Sequence, residues 1–89
     1  MKLRTTKDQI ESSVKTLFWL DVVEELNEWK EGFEREMKSI VDDVADKNSS
    51  TAVVLLHMGD LNGRIKAVDF MLEIPNVFLS TLEYNRKVD

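Results

Sequence analysis

The stretch TAVVLLHMGDLNGRIKAVDFMLEI, residues 51–74, decides the fold. Its apolar residues recur every three or four positions, which is the spacing of a helix face. At about 100° per residue they fall on two separate sides of one helix. The first side, the core seam, consists of Val54, Met58, Leu61, Ile65, Val68 and Leu72. The second side, the glycine face, consists of Ala52, Leu56, Gly59, Gly63, Ala67, Phe70 and Ile74. Because each apolar side needs a packing neighbour, this helix is expected to have two.

Two glycines lie together on the glycine face, four residues apart, at Gly59 and Gly63. Each glycine costs about 1 kcal/mol relative to alanine inside a helix. The bare backbone favours close approach of another helix, or of a ring such as Trp19 or Trp29. The alternative is a local bend or a break of the helix near Gly59.

A second, longer apolar stripe precedes this stretch. It begins after a capping box formed by Thr6 and Gln9. Its members, at steps of three or four, are Ile10, Val14, Phe18, Val22, Leu26, Trp29, Phe33, Met37, Ile40 and Val44. The stripe predicts a continuous helix over residues 7–45, about 58 Å long. Its weak points are residues 12–13 and Gly32, and a bend is expected near Gly32.

The remaining segments connect and extend these two helices. Residues 46–50 form a polar loop, and Ser49 or Ser50 is expected to cap the second helix, residues 50–74. Pro75 suits the start of a further helix. The predicted fold is therefore all-α: an antiparallel hairpin of helices 7–45 and 50–74 with a short C-terminal helix over residues 76–86. We expect a single helical domain over residues 1–89.

The segment LFWLDVV, residues 17–23, is apolar almost all round the first helix. Such a segment is buried on more than one side, and the first helix is also longer than the second. It is expected to pack on the third helix, on a second copy or on another protein; the third helix alone is the alternative. The predicted association surface consists of Phe18, Trp19, Leu20 and Val23, with Gly59 and Gly63 setting how closely helices approach.

Composition narrows the possible partners. The chain has 89 residues, a net charge of −5 and no cysteine. Disulfides, thiolate metal sites and cysteine nucleophiles are therefore excluded. The negative charge argues against binding to a nucleic acid or an anionic membrane. We expect no cofactor, a cytoplasmic location, and a second copy of the chain or a larger protein as partner.

Three polar residues of the second helix are candidates for a catalytic group. His57, Asp60 and Arg64 share one side of the second helix. They fit either a general-base pair with an arginine clamp or a polar network that joins helices, and no Ser or Thr is placed to act as nucleophile. Residues 23–28 resemble the Glu-x-x-Glu motif of MazG-like nucleotide pyrophosphatases, but the Glu-x-x-Asp that completes that family's Mg²⁺ site is absent. We therefore predict a structural polar network and no enzyme activity.

Acidic residues on the first helix suggest an alternative function. The chain would then be an inhibitor that imitates a nucleic-acid backbone and blocks a basic host enzyme. Such binding is strongly sensitive to salt, whereas binding through an apolar interface is not. The residues expected to carry it are Glu24, Glu28, Glu31, Asp42 and Asp43.

Residues 57–75 also carry a family resemblance. The pattern HMGDLNGRIKAV followed by LEIP resembles one found in small helical proteins of tailed bacteriophages. The resemblance implies a virion component or an accessory protein made in a bacterial cytosol. It transfers no functional site. Together with the apolar surfaces, it predicts a structural or adaptor protein that acts by homo-oligomerisation and protein binding.

Overall fold

The computed structural model describes the backbone of residues 1–47 and 50–88 and the side chains of residues 1–43 and 50–88. In these ranges every regular element is a helix and none is a strand, so the predicted all-α fold is confirmed. Ser49, a candidate cap, and the side chain of Val44 lie outside the described residues. The helices are α1 (Lys7–Ser13), α2 (Leu17–Lys47), α3 (Thr51–Leu72) and α4 (Ile74–Val88).

The α2 and α3 helices form the antiparallel hairpin. Two polar contacts join them, from Glu36 to His57 and from Lys30 to Asp69. As the residue number falls along α2, the number of the partner rises along α3. This order is that of antiparallel neighbours, and it confirms the predicted hairpin.

The core of the hairpin is small and apolar. Leu26 of α2 and Leu61 and Val68 of α3 are buried. The other members of the core seam are half-buried. The core seam of α3 therefore faces α2; the 100° spacing predicts two apolar sides of α3 but not which of them α2 covers.

The α1 and α4 helices extend the hairpin at its open end. They pack against each other, with Ile10 buried and with Val14, Pro75 and Leu79 beside it. The Asn85 side-chain amide donates to the Met1 carbonyl at 3.3 Å. The chain thus forms a ribbon two helices wide, with α1 and α2 along one side and α3 and α4 along the other.

The predicted helix over residues 7–45 is interrupted, and the interruption lies at residues 14–16 rather than near Gly32. The Ser13 hydroxyl donates to the Ile10 carbonyl at 2.7 Å, an acceptor that the Val14 amide reaches only at 3.4 Å. The Thr16 hydroxyl accepts from the Trp19 amide at 3.2 Å and so caps the start of α2. These hydroxyls offer the backbone local partners outside a regular helix. The α2 helix then passes through Gly32 without a break and ends at Lys47, two residues beyond the predicted end.

The boundary between α3 and α4 also differs slightly from the prediction. The α3 helix ends at Leu72, and Ile74 rather than Asn76 begins α4. Pro75 has no amide hydrogen, and its ring excludes a normal hydrogen bond to the Met71 carbonyl. The single residue between the helices, Glu73, keeps a helical backbone at φ −88°, ψ −5°.

The ribbon is long and flat. Its extents are 58 × 31 × 13 Å, and its radius of gyration is 18.6 Å. A compact chain of this length has a radius of gyration of about 12 Å. Since a helix with its side chains is about 10–12 Å across, the ribbon is one helix thick. Both broad sides and both edges of the ribbon are consequently open.

Candidate protein-binding surface

The glycine face of α3 points away from α2. Its mean direction is about 180° from that of the core seam at the helical spacing. Its six residues within α3 are exposed, and so is Ile74, which begins α4. Leu56 is 76% exposed and Phe70 is 73% exposed, although both are large and apolar. The α4 helix packs on α1 instead, so no described part of the chain covers this face.

The two glycines leave the middle of that face without side chains. The α3 helix continues through Gly59 and Gly63, so the break expected as an alternative does not occur. A Cβ atom added at either glycine would meet no atom within 4 Å beyond the adjoining helix backbone. Neither Trp19 nor Trp29 lies against them. No other described residue closely contacts the glycines, and the space over them is open to another molecule.

A second apolar surface lies at the start of α2. Leu17, Phe18 and Leu20 are exposed there, with 76% of Phe18 accessible. Trp19 and Val23, predicted with them, are half-buried. The α4 helix does not enclose this segment. The exposure of Leu17 was missed from the sequence, because it depends on the break at residues 14–16 that makes Leu17 the first residue of α2.

Trp29 occupies a third exposed position, at the edge of the α2 stripe. Its indole nitrogen donates to the Glu25 carboxylate at 2.9 Å. The ring lies along a shallow groove with Val22 and Leu26. The stripe alone predicts burial here. About 60° of helical rotation separates Trp29 from the buried Leu26, and this offset leaves the ring partly in solvent.

The predicted network of His57, Asp60 and Arg64 separates into two pairs. The His57 imidazole lies 3.3 Å from the Glu36 carboxylate on α2, an ion pair when the imidazole is protonated. The Arg64 guanidinium lies 3.2 Å from the Asp60 carboxylate and 5.8 Å from the centre of the Phe33 ring. The structure therefore pairs His57 across the hairpin and does not assemble a His–Asp pair. Both pairs are largely exposed to solvent.

The contact between Lys30 and Asp69 was not predicted. The ammonium nitrogen donates to a carboxylate oxygen at 2.9 Å, across 39 positions of sequence. This hydrogen bond, followed by the charge of Asp69, raises the pKa of Lys30 above its ordinary value, and the charge of Glu34 adds to the rise. No local pattern reveals such a pair, because its partners meet only when the hairpin sets its register.

Neither a cluster of metal-ligating side chains nor a membrane-spanning helix is present in the described part of the chain. In residues 1–43 and 50–88, no three acidic or histidine side chains come together in a group that could hold a metal ion. No helix within the described part of the chain has both the length and the apolar character needed to cross a bilayer.

Comparison of the chain with protein-family models, with curated proteins and with solved structures yields no match. The total accessible area is 7207 Å². A compact protein of 10.3 kDa exposes about 5,350 Å², so the ribbon exposes about a third more. The excess includes the glycine face and the exposed start of α2.

Proposed function

We propose that this chain is a non-enzymatic structural or adaptor protein that works by binding protein surfaces, a second copy of itself first. The observation that carries the proposal is the exposure of large apolar side chains on a molecule one helix thick. Extended apolar surfaces on soluble proteins mark interaction sites. Burying Leu56, Phe70 and Phe18 against another protein would remove their apolar area from water.

The proposal includes a setting. The resemblance at residues 57–75 to small helical proteins of tailed bacteriophages suggests a virion component or an accessory protein in a bacterial cytosol. A structural role of this kind needs repeated protein contacts and no catalysis, which agrees with a pairing of His57 to Glu36 that serves the hairpin.

Sedimentation velocity at low and high micromolar concentration tests the proposal. The expected result is a concentration-dependent dimer or higher oligomer. Because the contact is apolar, its affinity should change little between about 0.1 M and about 1 M salt. A chain that stays monomeric throughout this range, and that retains no protein partner, contradicts the proposal.

One observation favours the acidic inhibitor as a second candidate. Glu24, Glu28, Glu31 and Asp42 are all exposed and lie on the side of α2 opposite the buried Leu26. None of these four side chains takes part in an ion pair in the described part of the chain. An inhibitor that uses them would bind a basic protein as a monomer and would lose affinity steeply with salt. The salt series therefore separates the two candidates.

A further inference from the structure

We infer that the glycine face is self-complementary and that two copies of the chain pair through it. The two α3 helices would run antiparallel, with a two-fold axis between Gly59 and Gly63. This inference rests on the proposed self-association and adds the surface, the orientation and the register. It commits the face to one occupant, a second copy of the chain.

The order of large and small residues supports the antiparallel arrangement. A two-fold axis midway between the glycines sets Gly59 of one copy against Gly63 of the other. The same register pairs position 70 with position 52 and position 56 with position 66, so Phe70 faces Ala52 and Leu56 lies one residue from Ala67. These two bulky side chains thus each lie beside a small residue, the alternation that lets facing helices interdigitate. A face that matches itself in this way is what an isologous dimer requires.

The parallel arrangement fits less well. It would place Phe70 against Phe70 and Leu56 against Leu56. These bulky pairs would hold the helices apart on either side of the glycines, and the bare backbone at Gly59 and Gly63 would be left with a void. The antiparallel register closes that void and keeps the glycines in contact.

Charges at the border of the face agree with the same register. Asp60 and Arg64 are exposed and form a pair at 3.2 Å within one helix. In the antiparallel dimer, Asp60 of one copy comes near Arg64 of the other. The two-fold axis repeats this contact between Arg64 of the first copy and Asp60 of the second. Opposite charges therefore meet across the border, which favours this orientation over a displaced one.

The chain as a whole leaves more surface open than a dimer interface of standard size needs, and the glycine face is one part of that surface. A specific interface of standard size buries about 800 Å² on each partner. The chain exposes about 1,850 Å² more than a compact protein of its mass. The chain's own helices do not compete for the glycine face, because α4 is occupied with α1 and α2 covers the opposite side of α3.

The first experiment fills the space over the glycines with Gly59→Leu and Gly63→Leu in one variant. Added side chains meet open space in the single chain, so the monomer keeps its fold. We expect the dimer dissociation constant, measured by sedimentation, to rise at least about tenfold. The matched control is Asn62→Leu, which adds the same side chain to α3 at an exposed position between its two apolar sides. Its dissociation constant should stay within about twofold of the wild type. Circular dichroism should show no loss of helix in either variant.

The outcomes separate this inference from the proposed function. If the wild-type chain associates and the double variant associates equally well, the glycine face is not the interface, but self-association stands. If the wild-type chain stays monomeric, self-association fails and this inference fails with it.

The second experiment tests orientation by disulfide cross-linking, since the chain has no native cysteine. One copy carries Ala52→Cys and the other carries Phe70→Cys. In the antiparallel dimer these positions face each other, and a mixed disulfide should form on mixing. Two copies that both carry Ala52→Cys should not cross-link, because their Cα atoms are about 27 Å apart along α3 and a disulfide needs about 7 Å or less. Cross-linking of identical copies, without the mixed product, would overturn the antiparallel arrangement.

Discussion

Leu56 and Leu61 stand five residues apart on α3, and their surroundings are opposite. Leu61 is 1% exposed against α2, whereas Leu56 is 76% exposed on the glycine face. Five residues correspond to about 140° of rotation, which carries a side chain from one side of the helix to the other. A comparison of the two leucines therefore shows how much the same residue type contributes to stability on the covered side and on the open side of α3.

The first prediction compares Leu61→Ala with Leu56→Ala. Removing the buried side chain of Leu61 leaves a cavity and should lower the free energy of unfolding by about 2–5 kcal/mol. Truncating the exposed side chain of Leu56 should lower the free energy of unfolding by less than about 0.5 kcal/mol in the monomer. Urea unfolding at a concentration where the chain is monomeric checks both values. Equal losses at the two positions would mean that Leu56 is also covered within a single chain.

The second prediction concerns pH and Lys30. Its pKa is raised in the folded chain by the hydrogen bond to Asp69 and by that residue's charge. The folded chain thus holds this proton more tightly than the unfolded chain does, so the stabilisation is complete below the ordinary lysine pKa of 10.5 and is lost as the pH rises through the folded value. Lys30→Met should remove this part of the alkaline loss of stability. Lys66→Met, at an exposed lysine of α3, is the control, and equal alkaline profiles for the two variants and the wild type would contradict the prediction.

At the scale of elements, the break between α1 and α2 depends on hydroxyl groups. Thr16 accepts from the Trp19 amide and donates to the Ser13 carbonyl at 2.7 Å. The first bond serves an amide that has no helical acceptor at the start of α2, and the second adds to the bond that the Thr16 amide makes to the Ser13 carbonyl at 3.2 Å. The break in turn determines that α2 begins at Leu17, with the apolar residues 17, 18 and 20 exposed beside α1.

The third prediction tests this cap with Thr16→Ala. Loss of a threonine N-cap should lower the free energy of unfolding by about 1 kcal/mol. Ser39→Ala, at an exposed position inside α2, is the matched control and should leave stability unchanged or slightly raised, since alanine is the better helix former. Thermal unfolding followed by circular dichroism measures both. A Thr16→Ala chain as stable as the control would show that the hydroxyl does not support the break.

The whole molecule is a ribbon rather than a layered domain. Most domains cover an apolar helix stripe with a second layer of structure. Here α2 covers only one side of α3, and the α1–α4 pair continues the ribbon instead of folding over it. This arrangement explains how a chain with an ordinary apolar composition exposes residues such as Leu56 and Phe70.

The fourth prediction concerns this shape in solution. Small-angle scattering from a dilute sample should give a radius of gyration close to or above the 18.6 Å of the Cα trace, not the value of about 12 Å expected for a compact chain. The distance distribution should extend to at least the 58 Å of the long axis. A radius near the compact value would mean that α4 folds back over α3 and covers the glycine face.

The sequence by itself determined the helices and the two sides of α3. Spacing of three and four positions is a local property, so the core seam and the glycine face follow from residues 51–74 without any tertiary structure. The capping box at Thr6 and Gln9 is local as well, and both of its hydrogen bonds are present.

Only the tertiary structure decided which side of α3 is covered and which long-range pairs form. Both sides are apolar, so local pattern cannot choose between them; the choice follows from α4 packing on α1 and leaving the glycine face open. The pairing of Lys30 with Asp69, and of His57 with Glu36 rather than Asp60, depends on the register of α2 against α3. The break at residues 14–16 was only partly determined by local sequence. Its hydroxyl contacts are local, but the apolar stripe through the same residues also fits a continuous helix. Contacts between distant residues depend on how whole helices pack against each other, and no single segment of the sequence determines that geometry.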